Sequence, residues 1–184
     1  MKKLIILIAI LIPSFVSAQK YMTRGGHAII FSNTVAEDIT ANNYKVSSTL
    51  DTQNGEMAFS IPVQAFEFEK ALMQKHFNQE NFMHSSKSPK ITFKGKIQNL
   101  SDVKWDTDGT YEVAVSGDLT IRDVTKNISE QGTIKVKDNK ITASSVFTVK
   151  QIGQYNVGKP QSKRKANNVA DDIEVTYKGI YTSK

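Results

Sequence analysis

The chain has 184 residues, 24 Lys and Arg against 18 Asp and Glu for a formal net charge of +6, and no cysteine. That length suits one domain, and the missing cysteines exclude disulfides, thiolate nucleophiles and cysteine-held zinc. From position 19 onward there are 13 Ile, 13 Val and 15 Thr against 4 Leu, which excludes a helical bundle and favours sheet, because helices prefer unbranched side chains and strands prefer β-branched ones.

The first 18 residues read as an export leader. Lys2 and Lys3 form a basic start, residues 4–12 are almost unbroken apolar sequence, Pro13 and Ser14 interrupt it, and Val16-Ser17-Ala18 supplies small residues before a cut after Ala18. The apolar run is shorter than the ~20 residues of a spanning helix, so a leader is the stronger reading than an anchor. No later segment is long and apolar enough to cross a membrane as a helix. The expected mature chain is one domain, 19–184, periplasmic or secreted, with its net charge lowered by loss of the two leader lysines.

The elements follow in order. Residues 27–33 read as a strand with an ambiguous inner face, because Ile29, Ile30 and Phe31 are consecutive. Strands are then expected over 43–52, with Val46 and Leu50 on one face, and over 55–64, with Met57, Phe59, Ile61 and Val63. Residues 66–78 break the alternation: Phe66, Met73 and Phe77 recur at helical spacing, so a helix is predicted there. A polar loop ends in Ser88-Pro89. Period-two alternation resumes over 90–100, 110–122, 126–137, 140–150 and 172–182. Asn54-Gly55, Asp108-Gly109 and Asp138-Asn139 tolerate positive φ and mark tight hairpins. Eight antiparallel strands close into a barrel or stack as a two-sheet sandwich, and the pattern alone leaves both open.

No catalytic constellation stands out. His27, His76 and His84 fall in separate elements, with no metal-ligand spacing. Nucleophile elbows, phosphate loops and dinucleotide fingerprints are missing. Lys159, Lys163, Arg164 and Lys165 form the one basic cluster, without interleaved aromatics, so a nucleic-acid partner is not expected. No cofactor or metal is called for.

Two stretches are more specific. Residues 66–97 contain FEFEKALMQKHFNQENF and then SPKITFKGKI, and residues 117–128 read GDLTIRDVTKNI. Together with GHAIIFSNT and SSTLDTQNGEMAFSIPVQAF, they resemble the YceI-like family of exported bacterial proteins, particularly its Bacteroidetes members, over roughly residues 24–182. The chain departs from that pattern at Asp123, where many members have Gly, at Ser88, where an aromatic is frequent, and across 151–168. The resemblance implies an all-β fold, a lipocalin-like eight-stranded antiparallel barrel with a helical insertion near 66–78. It also implies an apolar interior that binds a polyisoprenoid, a fatty-acid-like molecule or another amphiphilic lipid, without catalysis.

The alternation assigns the lining of such an interior. Ile30, Val46, Leu50, Phe59, Ile61, Phe93, Val113, Val115, Leu119, Ile134, Val136, Phe147, Val149, Val175 and Tyr177 are the expected tunnel residues, with Ile97 and Ile173 on the same face. No formal charge belongs to this set, as suits a hydrocarbon chain. Gly95, Gly117, Ala143 and Ser145 either leave space beside that chain or, for the glycines, bend the strands. The other reading is a stress-response or protein-interaction module in which the barrel is only a scaffold and the basic stretch is the contact surface. A homodimer is compatible with either.

Overall fold

Where apolar and polar residues alternate, the backbone is extended, because successive side chains of a strand fall on opposite faces. The computed structural model describes residues 20–34, 37–138, 140–158 and 170–183. The predicted leader and the basic cluster at 159–165 lie outside the described residues. Nine extended segments occur: β1 (Lys20–Asn33), β2 (Asp38–Asp51), β3 (Glu56–Pro62), β4 (Glu67–Phe68), β5 (Lys90–Ile97), β6 (Gly109–Ile121), β7 (Val124–Lys137), β8 (Lys140–Val149) and β9 (Ile173–Ser183).

Eight of these are long, and they pair in the order β1-β9-β8-β7-β6-β5-β3-β2, with β2 returning to β1. All pairs are antiparallel. The sheet is therefore a closed eight-stranded barrel, which decides against the sandwich. The two-residue β4 adds to β2 through Ala41↔Phe68 and Asn42↔Glu67.

Several local expectations change. β1 and β2 begin at Lys20 and Asp38 rather than at 27 and 43. The helix is shorter than predicted: α1 is Ala71–Asn78, and Phe66 and Phe68 precede it in extended chain, where Phe77 packs against both rings at 5.5 and 4.9 Å. The spacing of Phe66 matched a helix because an aromatic cluster, not one helical face, brings these rings together. Asp108-Gly109 is no hairpin. A longer connection containing the short turn Leu100–Asp102 joins β5 to β6, and the Asp108 carboxylate accepts the Asp138 N–H at 3.2 Å. The tight turn between β6 and β7 is Arg122-Asp123, with φ of 47° and 64°, the two left-handed residues of a primed hairpin turn.

The packed interior has two parts. At one end Val46, Leu50, Met57, Ile97, Val103, Val136, Ile141 and Tyr181 form a solid cluster, backed by Leu100 and Trp105 from the β5–β6 connection. Tyr181 is wholly buried there, its hydroxyl 2.6 Å from Ser48 Oγ and 3.2 Å from the Tyr177 hydroxyl. These contacts give buried polar atoms the partners they need. At the other end Val63, Met83, Leu119, Ile121, Val149, Tyr155 and Val157 form a second cluster, close to α1.

Candidate functional site

From the first cluster towards α1 the barrel is hollow, and Met83, Leu119, Ile121, Val149 and Val157 of the second cluster line its outer part. An inner chamber of about 130 Å³ is lined by Phe59, Ile61, Phe93, Val113, Val115, Leu119, Ile134, Phe147, Val175 and Tyr177, all expected, together with Ala28, Met57, Ile128 and Ala143. An outer chamber of about 500 Å³ opens towards α1 and takes in Ile30 and Val149, also expected. Ala28, Ile61, Leu119, Phe147 and Val175 line both, so the two chambers adjoin. Alternation places these side chains inward, and closure of the ring brings them onto one axis.

Val46, Leu50 and Val136 line neither chamber. They belong to the solid cluster, so the hollow stops short of that end and is a blind pocket rather than a tunnel. The strands run past the floor of the pocket, and period two cannot tell a floor residue from a wall residue.

The inward glycines leave no free space. Gly95 and Gly117 are register partners. A Cβ on Gly117 would lie 2.3 Å from Gly95 Cα, and one on Gly95 would lie 2.4 Å from the Phe93 ring. The pair lets β5 and β6 approach closely while Phe93 folds over the place a side chain would take. Phe59 meets Phe93 and Tyr177 edge to face, with centroids 5.9 and 5.1 Å away, so the three rings brace one another on the wall of the inner chamber.

Sequence reasoning missed two groups. The first forms the mouth: Phe66, Phe68, Met73, His76 and Phe77, with Phe82 and Met83 of the following turn, line the outer chamber. The helix thus covers the open end, and none of its own residues is fully buried. Glu37 at this rim pairs with Lys70. The second group is Glu130, Gln131, Gly132, Thr133 and Ser144 on the wall of the inner chamber, beside Ser145, which the alternation does place inward. Glu130 is the correction to a charge-free interior. It occupies an inward position of β7, in line with Ile128, Gly132 and Ile134. Burial raises its pKa, and Lys150 partly opposes that. The signal was available: the parity of Ile134 and Val136 carries back to Glu130, but a carboxylate interrupts the apolar pattern by which parity is read.

Among the described residues no group of three or more His, Asp or Glu is placed to hold a metal ion, and no helix is long and apolar enough to cross a membrane. The model of the YceI-like domain matches residues 16–179. The chain belongs to the YceI-like family. Solved structures share the fold of this YceI-like chain. A polyisoprenoid-binding domain from Saccharophagus degradans, implicated in plant cell wall breakdown, has a TM-score of 0.74 at 11% identity, covering 91% of this chain and 99% of that one. Burkholderia cenocepacia BcnA has a TM-score of 0.68 at 17% identity, covering 85% and 96%. A Campylobacter jejuni YceI protein has a TM-score of 0.58 at 22% identity, covering 78% and 84%. No curated protein matches the sequence.

Two of the three departures from the family pattern, Ser88 and Asp123, meet in the fold. The Ser88 hydroxyl donates to the Asp123 carboxylate at 3.1 Å, so Asp123 holds its left-handed turn with a partner that an aromatic at 88 would not supply.

Proposed function

We propose that this YceI-like protein is an exported, non-catalytic carrier that holds the chain of a polyisoprenoid or another long amphiphilic lipid in its barrel. The observation that carries the reading is the blind, mostly apolar pocket, larger at the α1 end and smaller in the inner chamber that Phe59, Phe93 and Tyr177 line. The polyisoprenoid-binding domain of the same fold supports it. Each buried methylene contributes about 0.8 kcal/mol, so a five-carbon isoprene unit contributes about 3–4 kcal/mol before losses. Ordering the chain and losing its free translation offset several kcal/mol of this. A few units inside the barrel therefore suffice for stable binding. The blind end makes chain length the first criterion of selection.

Lipid extraction and native mass spectrometry of the purified protein test this. A co-purifying hydrophobic molecule is expected, and Val115→Trp, which fills the inner chamber from β6, is expected to shorten or abolish the retained chain while the barrel stays folded. Recovery of no hydrophobic molecule from the wild-type protein, together with no uptake of an added polyprenol, overturns the reading.

A further inference from the structure

The ring is not zipped along its whole length. β7 pairs with β6 from Gly109↔Val136 to Ile121↔Val124, and β8 pairs with β9 from Ile141↔Tyr181 to Val149↔Ile173. Between β7 and β8, however, pairing runs only from Thr133↔Ser144 to the turn at Lys137↔Lys140. Beyond that vertex, residues 124–132 and 145–149 each keep one neighbour and diverge. The wide part of the fork is filled by the short turn Ile152–Tyr155, whose Gln154 side chain accepts from Lys126 Nζ. Lys126 Nζ also stands 5.7 Å from the centre of the Tyr155 ring. Near the vertex it is different: Glu130, Gln131, Gly132, Ser144 and Ser145 border the inner chamber directly.

We infer that this fork is a second, lateral opening of the pocket that receives the polar head of the bound amphiphile, and that Glu130 makes it select heads that donate hydrogen bonds or carry positive charge over anionic heads. The inference rests on the lipid-binding reading and refines it.

Three observations carry it. First, Glu130 lies at an inward position opposite Val115 in the β6 register, beside the apolar Ile128 and Phe147 of the same chamber wall. A carboxylate there is partly desolvated, and its charged form gains from a donor that answers it. Second, nothing does so directly: among the described residues Glu130 makes no side-chain hydrogen bond or salt bridge, and the exposed Lys150 acts on it only as a neighbouring charge. The carboxylate at the α1 mouth, Glu37, is by contrast already paired with Lys70. Third, the fork exposes polar groups just where the chamber is otherwise apolar. Ser145 Oγ donates to the Gln131 carbonyl across the gap, and Gly132 leaves the vertex without a side chain. A hydroxyl or ammonium head can donate to Glu130 while its chain lies in the apolar chamber. A phosphate or carboxylate head would place like charge against a partly desolvated carboxylate.

The experiment uses three probes with one C20 polyprenyl chain: the alcohol, the primary amine and the monophosphate. The wild-type protein is expected to bind the alcohol and the amine about tenfold or more tightly than the monophosphate, the order of effect of one partly screened charge contact. Glu130→Gln is expected to bring the monophosphate to within about threefold of the alcohol, while the alcohol still binds. In parallel, the amine carrying a diazirine beside its nitrogen is photolysed on the wild-type protein, and attachment is expected within 128–132 and 144–148. Attachment confined to Glu37, His76 and their neighbours, or a preference unchanged in Glu130→Gln, overturns the lateral head site while leaving the lipid carrier intact. Failure of the wild-type protein to bind any of the three probes overturns both.

Discussion

Glu130 carries a measurable signature in stability as well as in binding. Burial raises its pKa above the ordinary carboxyl value of 4.5, with Lys150 opposing. The folded state therefore keeps this proton at a pH where the unfolded chain has released it. The site favours the folded state below the unfolded pKa, and that advantage is lost as pH rises through the folded pKa. Glu130→Gln cannot ionise and escapes the loss. The difference in urea midpoint, variant minus wild type, is expected to be more positive at about pH 7 than at about pH 4; an equal difference at both would show that the carboxyl is fully hydrated. The same position shows where the sequence was hardest to read. Leu119, Ile121 and Ile134 announce their face because their neighbours are polar, whereas a charged residue in an inward slot looks like a polar neighbour until the register is known.

At the scale of elements, α1 is held by aromatics rather than by a buried helical face. Its N-cap Lys70 makes no capping bond, and Leu72 is 63% exposed. Phe77 is the main tether, wedged between Phe66 and Phe68. Phe77→Ala is expected to cost about 1–2 kcal/mol of stability, about half the value of a fully buried ring. It is also expected to speed release of a bound polyprenol by widening the mouth, as a stopped-flow displacement would measure. Unchanged release would mean that the helix covers the pocket without limiting exit. The long strands from β3 onward were legible to within about three residues, because one face of each is buried and period two is then readable, whereas the two-residue β4 falls inside the predicted helix. The helix was legible in existence but not in extent, since Phe66 and Phe68 satisfy a helical spacing while sitting in extended chain. The register of β7 with β8 was not legible at all: its early end depends on the turn at 152–155, which makes no periodic pattern.

At the scale of the whole molecule, the barrel is stiff at one end and open at the other. The Ser48–Tyr181–Tyr177 hydroxyls and the Trp105 connection fasten the floor, while the outer chamber and the fork share the opposite half. Amide exchange is expected to follow this division. The amides of residues 125–131 that point towards β8 should exchange much faster than those paired between Thr133 and Lys137, and a bound polyprenol should slow them. Equal protection along β7 would contradict the fork. Closure itself was a property no single segment could reveal, because the decisive pairs join the two ends of the sequence: β9 lies between β8 and β1, with Tyr21 opposite Ser183. β9 is thus the keystone of the ring. Without it β1 and β8 have open edges, and the inner chamber lacks the wall that carries Val175 and Tyr177. Non-local pairing of this kind also folds slowly. The hollow is therefore made by the same slow step that completes the fold, and a partly folded chain has no enclosed apolar space to offer.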